Sequence, residues 1–234
     1  KYLFIGTEAG LNVFDYQKRE FVPFKNLSER DSFQILDFFE YKSKLYFQSF
    51  FYGTFEINPE QKTFRNIRFK QFENKWNYSA YQHNGTLFLS RTRFNESDHH
   101  NLLFWKADRY LSGAKPDSIA INTVIWEFAN TSDKEMFAAC WGVRDNSGGL
   151  YKLRGKNMQR MNETMGINSN QLLDVEYDKL LNKLYVASID KGLYVIDLNE
   201  IVVKLPFEEK SDILDMKMSD GRMFVLKNDT LQLY

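Results

Sequence analysis

Short apolar and polar segments alternate along the chain, and one arrangement returns repeatedly: two apolar arms joined by a polar turn. The clearest copy runs from Lys183 to Asp197, where arms rich in β-branched and aromatic residues flank Asp190-Lys191-Gly192. A glycine in a short polar turn is typical of a β-hairpin, because glycine adopts positive φ without steric cost. The segment therefore predicts a strand, a tight turn and a second strand.

Similar hairpins recur throughout the sequence. Their second arms open at positions 10, 53, 101, 149, 192 and 230, so the intervals are 43, 48, 48, 43 and 38 residues. An apolar segment precedes most hairpins, at 35–39, 78–81, 124–128, 172–177 and 213–216, and a more polar fourth segment follows at 62–67, 158–161 and 201–205. Four strands per period of this length are the mark of a propeller blade. The pattern predicts an all-β fold, a β-propeller of four-stranded antiparallel blades with about five to six repeats.

The first and last repeats are incomplete. The chain opens on a second strand at Tyr2 and stops on a third strand at Tyr234. Residues 1–234 are therefore expected to form one propeller domain or a fragment of a larger, seven-bladed propeller. The fragment is favoured, because an open ring leaves edges that propellers normally protect. Residues 107–113 are the one candidate for a helical turn, and no apolar run approaches the ~20 residues that span a bilayer.

Composition excludes several classes of function. Lys plus Arg and Asp plus Glu number 31 each, so no net field attracts nucleic acid, and no nucleic-acid partner is expected. The one cysteine, Cys140, lies in an apolar segment and is expected to be inert packing. The sequence contains no nucleophile elbow, no phosphate-binding glycine loop and no zinc-spaced cysteines. We predict no catalytic residue, no metal site and no cofactor, and we do not expect this chain to be an enzyme.

The segment Phe4-Ile5-Gly6-Thr7-Glu8-Ala9-Gly10-Leu11-Asn12-Val13-Phe14-Asp15 resembles the repeat signature of the two-component regulator propeller family. Residues 170–174 and 183–188 also resemble the start of such a repeat. The family's second-strand tryptophan is replaced by other aromatic residues, Phe4, Tyr46, Phe88, Phe137, Tyr185 and Phe224, and the repeat near Asn101 lacks the Gly-Leu turn.

This resemblance implies the periplasmic sensor region of a hybrid histidine kinase of Bacteroidetes, anchored in the inner membrane. The implied function is recognition of an oligosaccharide or another small ligand in two-component signal transduction. The implied partners are that ligand, other propeller or signalling domains of the same protein, and a second copy in a homodimer. Kinase modules are outside this chain. Two alternatives stay open: a propeller-fold enzyme, either a lyase or glycoside-active, and a protein–protein interaction scaffold.

On a propeller, the turns between second and third strands and the links into the next repeat lie on one face, where ligands bind. The longest such segment is predicted to be a loop over 91–100, which offers cations, carboxylates and two imidazoles. A metal site there is disfavoured, because adjacent histidines point apart on an extended chain. Trp141 is able to stack on a sugar ring or, alternatively, to continue the buried strand of Cys140. The predicted ligand-binding residues are Tyr52, Trp76, Arg91, Arg93, His99, His100, Trp141 and Arg144.

Overall fold

The computed structural model describes residues 2–24, 34–67, 75–93, 96–132, 134–142, 147–200, 202–204, 213–219, 221–227 and 230–233. Within its strands and helices the side chains of residues 75, 92–93, 96–101, 111 and 202–204 are outside the description. The chain divides into two compact units, Lys1–Ala120 and Ile121–Tyr234. The prediction of one domain over 1–234 stays a prediction.

The first unit contains three antiparallel sheets, which we call blades 1 to 3. Blade 1 consists of β1 (Tyr2–Thr7), β2 (Gly10–Asp15) and β3 (Glu20–Phe21). Blade 2 consists of β4 (Ile35–Tyr41), β5 (Lys44–Ser49), β6 (Gly53–Asn58) and β7 (Thr63–Ile67). Blade 3 consists of β8 (Lys75–His83), β9 (Thr86–Arg93), β10 (Glu96–Lys106) and β11 (Asp117–Ile121), with the helix α1 (Ala107–Leu111) before β11.

The second unit contains blades 4 to 6. Blade 4 consists of β12 (Thr123–Ser132), β13 (Glu135–Gly142), β14 (Gly149–Arg154) and β15 (Asn157–Arg160), and the helix α2 (Asn162–Met165) follows it. Blade 5 consists of β16 (Leu172–Asp178), β17 (Lys183–Ser188), β18 (Gly192–Asp197) and β19 (Val202–Lys204). Blade 6 consists of β20 (Ile213–Ser219), β21 (Arg222–Lys227) and β22 (Thr230–Leu233).

The predicted strand order is confirmed in every repeat. In blade 5, for example, Ser188 pairs with Gly192 and Lys183 pairs with Asp197, which is the hairpin expected from the sequence. The expected helical turn at 107–113 is present as α1. The strand β11 and the helix α2 were not predicted. No helix in the described ranges is long and apolar enough to cross a membrane.

The predicted loop over 91–100 is wrong. Arg91 and Arg93 belong to β9, and His99 and His100 belong to β10. His100 pairs with Thr92 and Glu96 pairs with Arg93, so the hairpin continues past the point where its apolar arms end. Main-chain pairing does not require apolar side chains, and a polar extension of two strands therefore resembles a loop in the sequence.

Side chains between successive blades form the cores of the two units. In the second unit, Ala187 and Leu193 of blade 5 pack against Ile213, Met216 and Val225 of blade 6. In the first unit, stacked rings such as Phe47 and Phe55, with centroids 4.7 Å apart, fill the corresponding space. Because the second and third strands have neighbours on both faces, strict polar–apolar alternation is lost there.

Candidate ligand-binding site

In each blade the turn between the second and third strands lies at the same end of the sheet as the link into the next blade. We call this the 2–3 end. In the first unit the turn of blade 2 is fixed on both sides, because the Phe50 N–H donates to the Gln34 carbonyl at 2.9 Å and the Asn77 N–H donates to the Phe50 carbonyl at 3.0 Å. The turn of blade 2 is thereby joined to the first strand of blade 3.

Four aromatic side chains meet at this junction. Phe50 stacks on Trp76, with ring centroids 5.6 Å apart and an interplanar angle of 19°. Phe51 and Tyr78 contact Phe50 edge-on, at 4.6 and 5.5 Å between centroids. We call Phe50, Phe51, Trp76 and Tyr78 the aromatic cluster. Flat apolar rings that are held in place suit the C–H faces of a sugar or another planar ligand.

The aromatic cluster consists of three packed rings and one accessible ring. Phe51 is 45% exposed, whereas Phe50, Trp76 and Tyr78 are half-buried. Burial raises the pKa of the Tyr78 hydroxyl to about 12, so it stays protonated at neutral pH. The Tyr78 hydroxyl therefore carries no charge beside the rings of the cluster.

Tyr52, a predicted site residue, follows directly in the same turn. Its N–H donates to Ser49 Oγ at 3.4 Å, and its carbonyl accepts from Asn66 Nδ2 at 3.4 Å. The ring is partly buried against the core of blade 2. Tyr52 thus lies at the 2–3 end, directly after Phe51 of the aromatic cluster, and its role in ligand binding stays a prediction.

Arg91 lies opposite Asn77 in the pairing of β8 and β9, again at the 2–3 end of the first unit. Both side chains are buried. Arg91 is therefore a buried residue of β9 at this end of the sheet and does not lie in an exposed loop. Tyr52, Trp76 and Arg91 thus all lie at the 2–3 ends of blades 2 and 3.

The remaining predictions in the first unit have a described backbone only. Arg93, His99 and His100 lie in the extended β9–β10 hairpin, and their side chains are outside the description. Among the described residues, no group of three or more His, Cys, Asp or Glu side chains is placed to hold a metal ion. The role of these three residues stays a prediction.

Trp141 marks the 2–3 end of blade 4 in the second unit. It is half-buried, pairs with Val124 and forms an isolated bridge with Gln171. Its ring centroid lies 6.3 Å from that of Trp126. Trp141 continues the strand β13, which contains Cys140, and this is one of the two alternatives stated above. Its side chain remains partly accessible. Arg144 lies outside the described residues.

A polar network at the 2–3 end of blade 5 was not predicted. Ser169, in the link from blade 4, donates to Asp190 Oδ1 at 2.5 Å, and Ser188 Oγ lies 2.6 Å from the same oxygen. The N–H groups of Asp190 and Lys191 donate to Ser188 Oγ. The spacing Ser188-Ile189-Asp190 is a local turn signal that was readable from the sequence. The network fixes the link of one blade to the turn of the next.

A second part of this network anchors the same link. Arg160 donates to the Gly148 carbonyl at 2.8 Å and to Asn170 Oδ1 at 2.7 Å. The buried Asn162 accepts from the Leu150 N–H and donates to the Ser169 carbonyl, both at 2.8 Å. The link between blades 4 and 5 is therefore held in place by hydrogen bonds, which suits binding because little order has to be created there when a ligand arrives.

Comparison with known proteins identifies the fold. No family model matches the chain, and no curated protein matches it at a significant level. Solved structures that share its architecture include the following three. PorZ, from the type-IX secretion system of Porphyromonas gingivalis, is 14% identical with a TM-score of 0.68, over 100% of this chain and 37% of that chain. The extracellular domain of BT4673 from B. thetaiotaomicron, assigned as a hybrid two-component system, is 12% identical with a TM-score of 0.71, over 99% and 33%. The WD40 domain of Neurospora crassa Pan2 is 11% identical with a TM-score of 0.54, over 99% and 84%.

At these identities the similarity shows the fold alone. WD40 repeats form propeller blades, and the antiparallel sheets of this chain have the same strand order. The predicted all-β propeller is therefore confirmed. The chain spans about a third of the length of PorZ and of the BT4673 extracellular domain.

Proposed function

We propose that this chain is a ligand-binding propeller in the extracytoplasmic part of a two-component sensor, and that it recognises an oligosaccharide. The observation that carries the proposal is the aromatic cluster, in which Phe51 is exposed beside a fixed Phe50–Trp76 stack. A sugar ring placed on Phe51 gains contact with an apolar surface that is already ordered. Its hydroxyls then meet polar groups at the same end of the sheets, such as the Tyr78 hydroxyl.

The sensor role is supported by the resemblance of residues 4–15 to the two-component regulator propeller repeat and by the shared fold with the extracellular domain of BT4673. On this proposal the domain resides in the periplasm, has no catalytic activity of its own, and transmits ligand binding to other domains of the same protein. A change in domain or dimer arrangement is the proposed output.

The experiment is a thermal-shift screen of the 234-residue chain against a panel of oligosaccharides. A ligand at 100 times its Kd stabilises a protein by about 2.7 kcal/mol, which corresponds to a rise in Tm of roughly 5–10 °C for a domain of this size. We expect the shift to disappear in Phe51→Ala and Trp76→Ala.

The matched control is Tyr16→Ala, which removes an exposed aromatic ring from the turn after β2, at the opposite end of its sheet. This variant should keep the full shift. A shift that survives both cluster substitutions places the ligand elsewhere. If no sugar stabilises the chain but a divalent metal does so, and His99→Ala removes that effect, the enzyme alternative replaces this proposal.

A further inference from the structure

The turn between the first and second strands of blade 5 is longer than the equivalent turns of other blades. Asp178 pairs with Lys183, so four residues, 179–182, lie between the paired strand ends. In blades 2, 3, 4 and 6 the equivalent pairs leave two residues between them: Tyr41 with Lys44, His83 with Thr86, Ser132 with Glu135, and Ser219 with Arg222. The sequence at those shorter turns consists of polar residues and glycine, whereas the longer turn contains Leu180 and Leu181. We call residues 179–182 the leucine turn.

Both leucines of this turn are exposed to solvent. Leu180 is 89% exposed and Leu181 is 53% exposed. Blade 5 packs between blades 4 and 6 of its own unit, so the two faces of its sheet are covered while its turns lie at the ends. The leucines are therefore exposed because they lie beyond the end of a sheet whose faces are already packed.

Hydrogen bonds hold the backbone of the leucine turn at both of its ends. Asp178 Oδ1 accepts from the N–H groups of Leu180 and Leu181, at 2.8 and 3.1 Å. Asn182 closes the turn with a φ of +52°, a conformation that asparagine adopts more readily than most residues. Its Nδ2 donates to Asn199 Oδ1 at 2.6 Å. Because the turn is fixed in this way, contact through the leucines requires little further ordering of the backbone.

Lysines flank the two leucines. Lys179 precedes them and is exposed, and Lys183, which is partly exposed, opens β17 directly after the turn. A lysine side chain lays its alkyl stem along an apolar surface and keeps its ammonium group at the polar boundary. Apolar side chains between cations suit the surface of an anionic bilayer, where the first enter the acyl region and the second meet the headgroups.

We propose that the leucine turn inserts into the surface of an anionic lipid bilayer. Leu180 and Leu181 enter the boundary between headgroups and acyl chains, and Lys179 and Lys183 bind headgroup phosphates. A lipid surface deforms around a projecting pair of side chains, whereas a protein partner would need a matching groove. The turn lies at the opposite end of blade 5 from its 2–3 end, so this contact is independent of the proposed ligand site and leaves that site accessible.

The first test is sedimentation of the 234-residue chain with vesicles, made either of phosphatidylcholine alone or of equal parts phosphatidylcholine and phosphatidylglycerol. We expect binding to the anionic vesicles, much weaker binding to the neutral ones, and a decrease with added salt, which screens the lysines. The double variant Leu180→Ser/Leu181→Ser should bind the anionic vesicles roughly tenfold more weakly or less. The control is Phe21→Ser, which removes an exposed aromatic ring from β3 and should bind like wild type.

The second test reports insertion directly and does not depend on the double variant. Leu180→Cys is labelled with a fluorophore whose emission shifts to the blue in an apolar environment, and the native Cys140 is buried and stays unlabelled. The matched control is Lys191→Cys, in the exposed turn at the other end of blade 5. Anionic vesicles should shift the emission of the label at position 180 and leave that at position 191 unchanged.

Four results would overturn the proposal. Absence of binding to the anionic vesicles at low salt would assign the leucine turn to a protein partner instead. Full binding by Leu180→Ser/Leu181→Ser would place the membrane contact elsewhere on the chain. Equal binding to neutral vesicles would remove the role of the lysines, and equal shifts at positions 180 and 191 would show adsorption without a specific orientation.

Discussion

The carboxylate of Asp37 in blade 2 accepts a hydrogen bond from the Ala80 N–H in blade 3, at 3.0 Å. Its other oxygen accepts from the adjacent Phe38 N–H at 2.7 Å. Phe38 and Ala80 occupy the same position in successive first strands. The Asp37 carboxylate thus accepts from the N–H at the same position of the repeat in blades 2 and 3. Asp174 does the same for the N–H groups of Val175 in blade 5 and Met216 in blade 6.

We predict that Asp37→Ala lowers the free energy of unfolding by about 1–3 kcal/mol, because two partly buried N–H groups lose their acceptor. Asp37→Asn keeps one acceptor oxygen and should cost less. Urea denaturation measures the difference. Glu60→Ala, in the exposed turn between β6 and β7, is the control and should be near neutral. Equal stabilities of Asp37→Ala and Glu60→Ala would show that the contact contributes nothing.

A second prediction concerns Gly148, where blade 4 approaches the link that follows it. A Cβ at this position would lie 1.9 Å from the Asn170 carbonyl oxygen and 2.3 Å from the Gly142 nitrogen. These two atoms form a hydrogen bond of 2.8 Å, so Gly148→Ala has to break it. The expected loss is about 1–3 kcal/mol of unfolding free energy.

Gly155→Ala is the matched control for this substitution. Gly155 has a φ of +60° and no atom within 4 Å of an added Cβ, so only backbone strain of about 1 kcal/mol applies. We therefore expect Gly148→Ala to have the lower urea midpoint of the two variants. If Gly148→Ala is the more stable of the two, the close approach does not constrain the turn.

Much of this fold was predictable because its signals are local. The hairpin at 183–197 contains its own turn residues and both apolar arms, and the structure has the expected register. The strand β11 was missed because it is short and lies at a sheet edge, where fewer apolar positions are required. The helix α2, with four residues, is too short for a helical period to be visible.

The candidate site was predictable only in part. Tyr52 and Trp76 were selected because aromatic residues in turns suit ligands, and both lie at the 2–3 end. The stacking of Trp76 on Phe50 depends on how blades 2 and 3 pack, which the local sequence does not encode. The contact between Ser169 and Asp190 likewise joins a link and a turn 21 residues apart.

The thiol of Cys140 should be unreactive in the folded protein. The side chain is fully buried, and burial raises the pKa of its thiol. Because the thiolate is the reactive form, we expect a thiol reagent to label Cys140 only when urea unfolds the second unit. Leu180→Cys, in an exposed turn, should be labelled at once in native buffer. Rapid labelling of the wild-type chain without urea would contradict the packing around β13.

The final prediction concerns two carboxyl groups in successive first strands. Burial, and next the neighbouring Asp215 and Glu176, raise the pKa of Asp174 well above its ordinary value near 3.8. Lys217 faces the same region, but its ammonium group lies 2.7 Å from Glu176 Oε1. Asp215, in the first strand of blade 6, is therefore one of the causes of the raised pKa of Asp174.

The sign of the pH effect follows from this raised pKa. A carboxyl whose pKa rises on folding binds its proton more tightly in the folded state. Its contribution to stability is complete below the unfolded value near 3.8 and is lost as the pH rises through the folded pKa. The Asp174 carboxyl therefore contributes less stability at pH 7 than at pH 4.

Asp215→Asn should relieve this effect, because it removes the like charge beside Asp174. We expect the variant to have a higher urea midpoint than wild type at pH 7, and a smaller difference between the two at pH 4. Glu200→Gln removes a carboxylate from an exposed turn of blade 5 and should leave the pH profile unchanged. A wild-type pH profile in Asp215→Asn would mean that the raised pKa of Asp174 does not depend on Asp215.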